Sequence, residues 1–573
     1  MNNKKAYLFA FFITFGFLAV IGRIIQFQVI QKDELYQYIQ KQYFSEENIL
    51  LPRGTIFDSK GKFVAISIPT ITVFVIPKYI KDKDTVAREL ARIIKIPEEN
   101  IRDVLYHRKN YTILATNLDK SIKPQLLKLR SDLKEWNIGI LENYKRFYPY
   151  NEIAGSTIGF TSKKTGIGLE GLEYLLNDKL GGGNVKLSFL KDATGNPITI
   201  ENLNITKNNL NAVLTIDINL QYMAEEALKQ LIEERNPKEA AVLIMNPYTG
   251  DIVAVATYPN YNPNNYEKYD NHKNIVFQNS YEIGSLTKPF ILAEAIDEGK
   301  VNLNEIIDCQ NGAIEIDGVK IKDHKKFGLL TPIQIIQHSS NVGTIKIALR
   351  LEPIKIYEKL KSLGFGKSTN TFPGETSGKL KIDLRPVNIA YTSIGQSWTA
   401  SIIQVAVAYS AIANGGYRVK PRLVKGFTDD AGNYVEINNP KTEEKVLSDK
   451  SVKILKEILP LVVEEGTARS GKSSFFTIGG KTGTAQKYDP AIKALSNEKY
   501  YTWFAGFFPI SNPKFVIIVF ANEPKKVFEW EHIGGGSVSS TVMKNLIDRV
   551  MYYYKEKPDK PTYQNISLSA EQH

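Results

Sequence analysis

The chain has 573 residues, of which 43% are hydrophobic and 23% are charged, and it carries a formal net charge of +12 at pH 7. This length predicts at least two folded domains, and the composition is that of an ordinary globular protein without repeats or low-complexity tracts. Lys and Arg are scattered among Asp and Glu, which argues against nucleic-acid binding, and the single cysteine, Cys309, excludes an intrachain disulfide and a Cys-rich metal site.

The first predicted element is a membrane-spanning helix. After Lys4 and Lys5 the chain is apolar from Ala6 to Ile21 and remains largely apolar to Phe27, which is close to the length that crosses a bilayer. No A-x-A-like cleavage site follows, so the pattern favours an uncleaved signal anchor over a removed signal peptide or a buried core helix. Positive charges before such a run stay in the cytoplasm, which predicts that the chain beyond about residue 30 lies across the membrane. We assign 1–30 to a cytoplasmic stub and this anchor.

The region 31–205 mixes short strand-like and helical segments. Turn signals such as Pro52-Arg53-Gly54 and Ser59-Lys60-Gly61 separate them. The region shows no catalytic constellation, and we assign no role to His107, its single histidine. We interpret 31–205 as a mixed α/β pedestal domain.

A second domain is predicted at 206–555. Apolar residues recur at helical spacing from Leu220 to Leu231, and Ala240–Met245 and Ile252–Thr257 have the pattern of paired buried strands. The same strand pattern returns at 501–508 and 515–521, and the amphipathic segment 538–551 predicts a closing helix. We therefore expect an α+β fold in which helices flank a central, largely antiparallel sheet. The tail, 556–573, is predicted to be disordered.

Three short motifs in the second domain carry the chemistry. They are Ser285-Leu286-Thr287-Lys288, then Ser339-Ser340-Asn341, then Lys481-Thr482-Gly483-Thr484. Each is common by chance, and each has a plain structural interpretation as a helix cap, a loop cap or a strand-edge turn. In this order and context they form the known signature of penicillin-binding proteins and class A β-lactamases.

The spacing of the first motif has a physical reason. Residues three apart on a helix share a face, so Lys288 can reach the hydroxyl of Ser285. A serine is a good nucleophile only when a base removes its proton, and a lysine serves as that base only if burial or nearby positive charge lowers its pKa. We expect Lys481 to supply such a charge. Gly284 permits a tight turn that leaves Ser285 at the helix N-terminus, where free N–H groups favour negative charge.

The other motif residues complete the predicted site. The backbone N–H groups of Ser285 and Thr484 would form an oxyanion hole, with Gly483 keeping the approach to substrate open. Ser339 and Asn341 suit proton relay and amide recognition if a turn directs both into one cleft. The hydroxyls of Thr482 and Thr484 could hold a substrate carboxylate. Pro289 lacks an N–H, which leaves the partner of the Ser285 carbonyl unassigned.

The sequence resembles the class B penicillin-binding proteins over nearly its whole length. The pedestal signatures are Arg53-Gly54-Thr55-Ile56-Phe57-Asp58, Arg146 with Tyr148-Pro149, and Gly168-Leu169-Glu170; the second domain adds Tyr281-Glu282-Ile283-Gly284-Ser285, Gly395-Gln396 and Asn414-Gly415-Gly416. The division-specific FtsI-type subgroup is favoured over the elongation-specific one, because Glu282 precedes the serine motif and no long C-terminal extension follows. Ile283 replaces the usual proline and Ser397 the usual second glycine, which weakens the subgroup placement more than the chemistry.

The resemblance implies a serine D,D-transpeptidase of the bacterial inner membrane with its catalytic domain outside the cytoplasm. Ser285 would attack the penultimate D-alanine carbonyl of a peptidoglycan stem peptide, expel the terminal D-alanine and pass the acyl group to a neighbouring stem during septal synthesis. Lys288, Ser339, Asn341 and Lys481 would be the other catalytic residues, and β-lactams would acylate the same serine. Implied partners are a glycan polymerase of the SEDS family and other division proteins.

Other functions are less well supported. A β-lactamase needs a base poised for a deacylating water, and a D,D-carboxypeptidase does not need a pedestal. A bifunctional polymerase would need a glycosyltransferase motif, which the sequence does not show. A β-lactam sensor would need a signalling domain, for which the predicted cytoplasmic stub is too short. A noncatalytic scaffold and an elongation-specific transpeptidase remain open alternatives. His338 beside Ser339 is interpreted as a helix-end residue rather than part of a Ser-His-Asp triad, and no residue spacing indicates a metal or other cofactor.

Overall fold

The computed structural model describes residues 3–26, 28, 31, 44–191, 197–199, 209–489, 491 and 494–560. Its first helix is Asn3–Ile25. The segment Tyr7–Ile25 has 19 residues, is long and apolar enough to cross a membrane, and is not buried against the described chain. At about 1.5 Å per residue it measures roughly 28 Å, close to the ~30 Å hydrocarbon core of a bilayer. The helix therefore fits a single membrane anchor.

The pedestal is built on strands covered by short helices. Its strands are β1 (Phe44–Leu50), β2 (Ile56–Phe57), β3 (Phe63–Val75), β4 (Thr112–Asp119), β5 (Ile138–Phe147), β6 (Asn184–Lys191) and β7 (Pro197–Thr199). Its helices are Lys83–Ile94, Glu98–His107, Lys123–Asp132, Gly155–Ile158, Gly171–Leu175 and Asn177–Leu180, with 3-10 turns at Pro77–Tyr79 and Lys120–Ile122. β3 pairs antiparallel with both β4 and β5, and the helices close a separate apolar core over them.

A buried ion cluster joins the pedestal segments. Arg53 Nε donates to Glu173 Oε2 at 2.6 Å, and Arg146 Nε donates to Glu173 Oε1 at 2.7 Å. Burial alone would raise the pKa of Glu173, but the two guanidinium groups hold it below its ordinary value. Arg53 and Arg146, which belong to two of the pedestal signatures, thus meet at Glu173. Arg146 also donates to the carbonyl of Gly54 at 2.9 Å, which ties β5 to the chain that enters β2.

The second region contains the larger sheet and most of the helices. Its strands are β8 (Asn211–Leu214), β9 (Glu239–Met245), β10 (Ile252–Tyr258), β11 (Ile307–Asp308), β12 (Ala313–Ile316), β13 (Val319–Lys322), β14 (Leu329–Leu330), β15 (Tyr417–Val419), β16 (Val424–Thr428), β17 (Tyr434–Ile437), β18 (Thr442–Lys445), β19 (Gly479–Asp489), β20 (Ala494–Phe508) and β21 (Phe515–Asn522). Its helices are Ile218–Arg235, Ile275–Gln278, Lys288–Asp297, Pro332–His338, Asn341–Ala348, Pro353–Ser362, Pro386–Ser393, Ile402–Ala413, Asp449–Glu464 and Met543–Tyr553, with 3-10 turns at Pro263–Lys268, Gly284–Thr287, Gln310–Gly312 and Arg469–Gly471.

Five strands form the central sheet of this region in the order β10-β9-β21-β20-β19, and every neighbouring pair is antiparallel. β9 pairs with β10 on one side and with β21, the last strand of this sheet in sequence, on the other, so strands from both ends of the region lie side by side. The apolar helix Ile402–Ala413 is buried along its whole length and packs into the same core. The predicted α+β class with an antiparallel sheet flanked by helices is confirmed.

The two regions share one sheet. Its order is β17-β16-β8-β2-β3-β4, with β5 also paired to β3, so strands on both sides of the predicted domain boundary lie in it. The link is the parallel pairing of β2 with β8, in which Ile56 faces Ala212 and Phe57 faces Val213. The boundary at residue 205 itself lies outside the described residues. This continuous sheet couples the pedestal to the second region directly.

The C-terminal end differs from the sequence expectation in two places. The closing helix begins at Met543 rather than at Val538, because the preceding residues turn on the carbonyls of Gly534 and Gly535. The predicted disordered tail is ordered at its start, where the Asp559 carboxylate accepts from the backbone N–H of Thr477 at 2.7 Å and Lys560 Nζ donates to a carbonyl oxygen at 2.8 Å. Residues 561–573 lie outside the described residues.

Candidate active site

The serine motif begins on a tight turn. Gly284 has a φ of +57°, and a Cβ atom built on it would lie 2.7 Å from the carbonyl oxygen of Thr484. Both facts require glycine, because an L side chain would be strained in this conformation and would collide with β19. A 3-10 turn, Gly284–Thr287, then leads into the helix Lys288–Asp297. Ser285 is left partly exposed at the start of this helix, as the sequence predicted.

The 3-10 turn also explains why a proline is tolerated at position 289. The backbone N–H of Lys288 donates to the carbonyl of Ser285, so this oxygen is satisfied one residue earlier than in a regular α-helix. Pro289 then occupies the first turn of the helix, where its missing N–H costs nothing. The unassigned partner of the Ser285 carbonyl is therefore the N–H of Lys288.

Lys288 is completely buried and points at the second motif. Its Nζ donates to the carbonyl oxygen of Ser339 at 2.6 Å, to Asn341 Oδ1 at 2.7 Å and to Ser339 Oγ at 3.3 Å. Three donated bonds use all three protons of an ammonium group. Within the part of the chain that the structure describes, the Ser285 hydroxyl has no hydrogen bond, so the predicted contact between Ser285 and Lys288 is not formed in this state.

Lys481 reaches the same serine from β19. Its Nζ donates to Ser339 Oγ at 2.8 Å and to the carbonyl oxygen of Thr482 at 3.1 Å, and its side chain is also completely buried. The Ser339 hydroxyl accepts from both lysines, so its own proton is available for a substrate atom. Ser339 thereby links the two cations of the site.

Burial sets the proton affinity of both lysines. It lowers the pKa of Lys288 to about 7, and the negative charge of Asp323 opposes this shift. Burial and the positive charge of Lys288 together lower the pKa of Lys481 well below its usual range. The expectation that Lys481 supplies the charge that lowers the pKa of Lys288 is thus replaced by burial as the main cause. A neutral Lys288 is readily populated near pH 7.

The second motif adopts the turn that its spacing required. Ser339 has a φ of +61° and separates the helix Pro332–His338 from the helix Asn341–Ala348. The break lets Ser339 and Asn341 face the same Lys288 ammonium, although they lie two residues apart. His338 ends the first helix and stacks on Phe327, with ring centroids 5.9 Å apart.

The third motif lies on the edge strand of the central sheet. Because side chains alternate along β19, Lys481 and Gly483 face one side and Thr482 and Thr484 the other. A Cβ atom on Gly483 would lie 2.6 Å from the carbonyl oxygen of Ile283. Glycine is thus needed here for the strand to pack against the serine segment, a role that the sequence did not indicate.

The two threonines already have partners. The hydroxyls of Thr482 and Thr467 are 2.6 Å apart, and Thr484 Oγ1 accepts from the N–H of Gly535 at 3.1 Å. Thr482 is only 5% exposed, whereas Thr484 is partly open to solvent. The backbone of Thr484 lies beside Gly284, which brings the two predicted oxyanion-hole residues onto facing segments.

Residues 240–548 match the family model described as the penicillin binding protein transpeptidase domain. Residues 48–214 match the model described as the penicillin-binding protein dimerisation domain. The chain belongs to the class B penicillin-binding proteins. The family and the transpeptidase class predicted from the sequence are therefore confirmed.

Similar proteins span nearly the whole of this penicillin-binding protein. The peptidoglycan D,D-transpeptidase FtsI of Buchnera aphidicola (subspecies Schizaphis graminum) is 30% identical over 96% of the chain and 94% of its own length. Stage V sporulation protein D of Bacillus subtilis is 28% identical over 96% of the chain and 86% of its own length. The crystal structure of penicillin binding protein 2X from Streptococcus thermophilus has the same fold, with a TM-score of 0.78 at 24% identity over 89% of this chain and 80% of that one.

Short sequence patterns did not indicate the contacts of several residues that shape the site of this penicillin-binding protein. Asp323 binds the second motif, and Thr467 pairs with Thr482. The carboxylate of Glu282, which the sequence marked only as a subgroup feature, accepts from the N–H of Ser397 at 3.0 Å. Their partners lie between 15 and 115 positions away in the chain. No short motif encodes such contacts.

Proposed function

We propose that this protein is a septal peptidoglycan D,D-transpeptidase that works through an acyl-enzyme on Ser285 and is inhibited covalently by β-lactams. The observation that carries the proposal is the convergence of the three motifs, because the partly exposed Ser285 turn lies beside a buried cluster of Lys288, Ser339, Asn341 and Lys481. A serine beside a lysine with a pKa near neutrality is the arrangement that nucleophilic catalysis requires.

The proposed reaction has two halves. Neutral Lys288 accepts the proton of Ser285 as Oγ attacks the penultimate D-alanine carbonyl, and the N–H groups of Ser285 and Thr484 stabilise the oxyanion. Collapse breaks the peptide bond, and the departing amine of D-alanine takes a proton through Ser339, which Lys481 and Lys288 hold. The amine of a second stem then attacks the ester, returns the proton to Ser285 and completes the cross-link.

The other motif residues suit substrate binding. Asn341 would donate to or accept from the stem amide, and the hydroxyls of Thr482 and Thr484 would bind the terminal carboxylate on β19 beside Gly483. Thr467 joins this group through its contact with Thr482. Hydroxyls and backbone N–H groups at a strand edge are the donors that a carboxylate needs.

The test is labelling of the purified full-length protein with a fluorescent penicillin, followed by peptide mapping and measurement of the adduct lifetime. We expect a stable adduct on Ser285. Rapid release of the label would indicate a β-lactamase, and the absence of any adduct would indicate a noncatalytic scaffold. Either result would overturn the proposal.

The septal role rests on the FtsI-type resemblance and on relatives named FtsI and stage V sporulation protein D. The same resemblance supports a SEDS-family polymerase and division proteins as partners, and Lys4 and Lys5 before the anchor favour a catalytic domain outside the cytoplasm. We expect a fluorescent fusion to concentrate at the division site. Uniform placement along the lateral wall would favour the elongation-specific alternative.

A further inference from the structure

Asp323 follows β13 and lies against the second motif. Its Oδ2 accepts from Ser340 Oγ at 2.8 Å, and its Oδ1 accepts from the backbone N–H of Val342 at 3.1 Å and from that of Asn341. One carboxylate thus holds three consecutive residues. The contact spans 17–19 positions of sequence and joins the β12–β13 hairpin to the start of the helix Asn341–Ala348.

The position of this carboxylate is favourable for two reasons. The N-terminus of a helix has free N–H groups and a partial positive charge, both of which an anion satisfies. Ser340 caps the same helix by accepting from the N–H of Gly343 at 3.0 Å, so its hydroxyl proton is free for Asp323. The helix start is therefore fixed by a side chain from a different segment.

The fixed helix start determines which atom of Asn341 faces Lys288. Asn341 Nδ2 donates to the carbonyl of Lys322 at 2.8 Å, and Asn341 Oδ1 accepts from Lys288 Nζ at 2.7 Å. An ammonium can only donate and a carbonyl can only accept, so these two partners allow one orientation of the amide. Asp323 and Lys322 thus clamp Asn341 from its backbone and its side chain.

We propose that Asp323 is a positioning residue of the acyl-transfer site, whose carboxylate holds the Ser340-Asn341-Val342 turn and keeps Ser339 and Asn341 aligned on Lys288. This inference rests on the proposed function. Asp323 does not touch Lys288 or the reacting atoms. It acts through the turn and through its charge.

The charge of Asp323 predicts a specific signature. The carboxylate favours the ammonium form of Lys288 and so opposes the lowering of its pKa by burial. In the described chain, Lys481 and His324 are two further titratable groups that interact electrostatically with Lys288. Partial burial, Lys288 and Lys481 lower the pKa of His324 to about 4, so His324 is neutral near pH 7. Loss of the Asp323 charge should therefore lower the pKa of Lys288 further.

The variants Asp323→Asn and Asp323→Ala separate the two contributions. Asn keeps the shape and two acceptor bonds but removes the charge, whereas Ala also removes the acceptors. In the full-length protein we measure the second-order rate of acylation by a fluorescent penicillin across pH. Because misplaced catalytic groups cost up to ~10²-fold, we expect Asp323→Ala to lower the plateau rate roughly ten- to a hundred-fold and Asp323→Asn to lower it less. The acylation rate falls at low pH as Lys288 becomes protonated, and we call this part of the pH profile the acid limb. Both variants should move the acid limb to lower pH.

The matched control is Asp317→Asn. Asp317 is an exposed acid in the turn of the same hairpin, where its Oδ2 accepts one bond from the N–H of Val387 at 3.1 Å. The Asp317→Asn variant should leave both the acylation rate and the acid limb of its pH profile unchanged. Wild-type rates in Asp323→Ala, or an acid limb of Asp323→Asn that stays in place or moves to higher pH, would overturn the inference.

A second measurement is independent of penicillin. The amine of Lys288 can be titrated by NMR with 13C-labelled lysine, its resonance identified by its loss in Lys288→Ala. Asp323→Asn should lower the midpoint, and an unchanged midpoint would contradict the inference. A wild-type protein that takes no label would contradict the proposed function alone, since this titration still decides the role of Asp323.

Discussion

Replacing Ser285 by alanine is expected to abolish covalent labelling by penicillin and all cross-linking activity. In the proposed mechanism the acyl bond forms at the Oγ atom of Ser285, and the Ser339 hydroxyl is a poor substitute because its Oγ accepts from two lysines. In a serine protease the loss of the nucleophile costs roughly 10⁶-fold in rate, and a loss of that size would appear as no labelling at all. Labelling followed by gel fluorescence and mass spectrometry measures the result.

Ser285→Ala should leave the fold intact. The Ser285 hydroxyl has no hydrogen bond within the described chain and is partly exposed, so its removal leaves no buried group without a partner. The thermal midpoint and membrane association should therefore match those of the wild type. Ser280→Ala is the matched control, since Ser280 precedes the same turn and its hydroxyl accepts from Thr399 Oγ1 at 3.0 Å. It should label normally, and an adduct on Ser285→Ala would refute the nucleophile assignment.

Sequence patterns predicted the parts of this site that depend on local geometry. The three-residue spacing of Ser285 and Lys288 gives one helical face whether the turn is α or 3-10, and strand alternation places Lys481 and Gly483 on one side of β19. The need for a break between Ser339 and Asn341 follows from the same periodicities. Such features require only the residues within one or two turns of each other.

The partners of these residues could not be predicted in this way. The acceptors of Lys288 lie 51 and 53 residues ahead in the chain, and the choice of Ser339 and Asn341 over Ser285 depends on how two helices pack. The carboxylate that joins Arg53 and Arg146 likewise comes from Glu173, which lies 120 and 27 positions away from them in the chain. The need for glycine at position 483 could not be predicted from local sequence either, because the carbonyl of Ile283 that leaves no room for a Cβ atom belongs to another segment.

Fold and chemistry are connected through the central sheet. β19 is an edge strand, so its outer side is open to the serine turn, and Gly284, Gly483 and Gly535 all permit backbone contacts there that a Cβ atom would prevent. The same packing buries Lys288 and Lys481 completely. Close packing is therefore the physical cause of the lowered pKa values on which the proposed chemistry depends.

Replacing Lys288 by alanine is expected to slow acylation severely and to remove its dependence on pH near neutrality. Loss of a general base costs roughly 10²–10⁴-fold. In the wild type the rate should rise with pH through about 7, since the neutral amine that accepts the Ser285 proton becomes populated as Lys288 loses its own. The Lys288→Ala variant has no amine at this position, so its residual acylation rate should not rise with pH in this range. The measurement is the acylation rate of the full-length protein from pH 5 to pH 9, a range of roughly two units on either side of that value.

Lys288→Arg distinguishes a base from a mere hydrogen-bond donor. Arginine retains the positive charge and several donors for Ser339 and Asn341, but it stays protonated throughout this pH range. If Lys288 acts as the base, the arginine variant should be as slow as the alanine variant. Lys346→Ala, on the neighbouring helix, is the matched control, because Lys346 Nζ donates to the carbonyl of Asp308 at 2.6 Å, away from the three motifs. Substantial activity in Lys288→Arg with a normal Lys346→Ala would assign the base to another group, with Lys481 the nearest amine that shares Ser339.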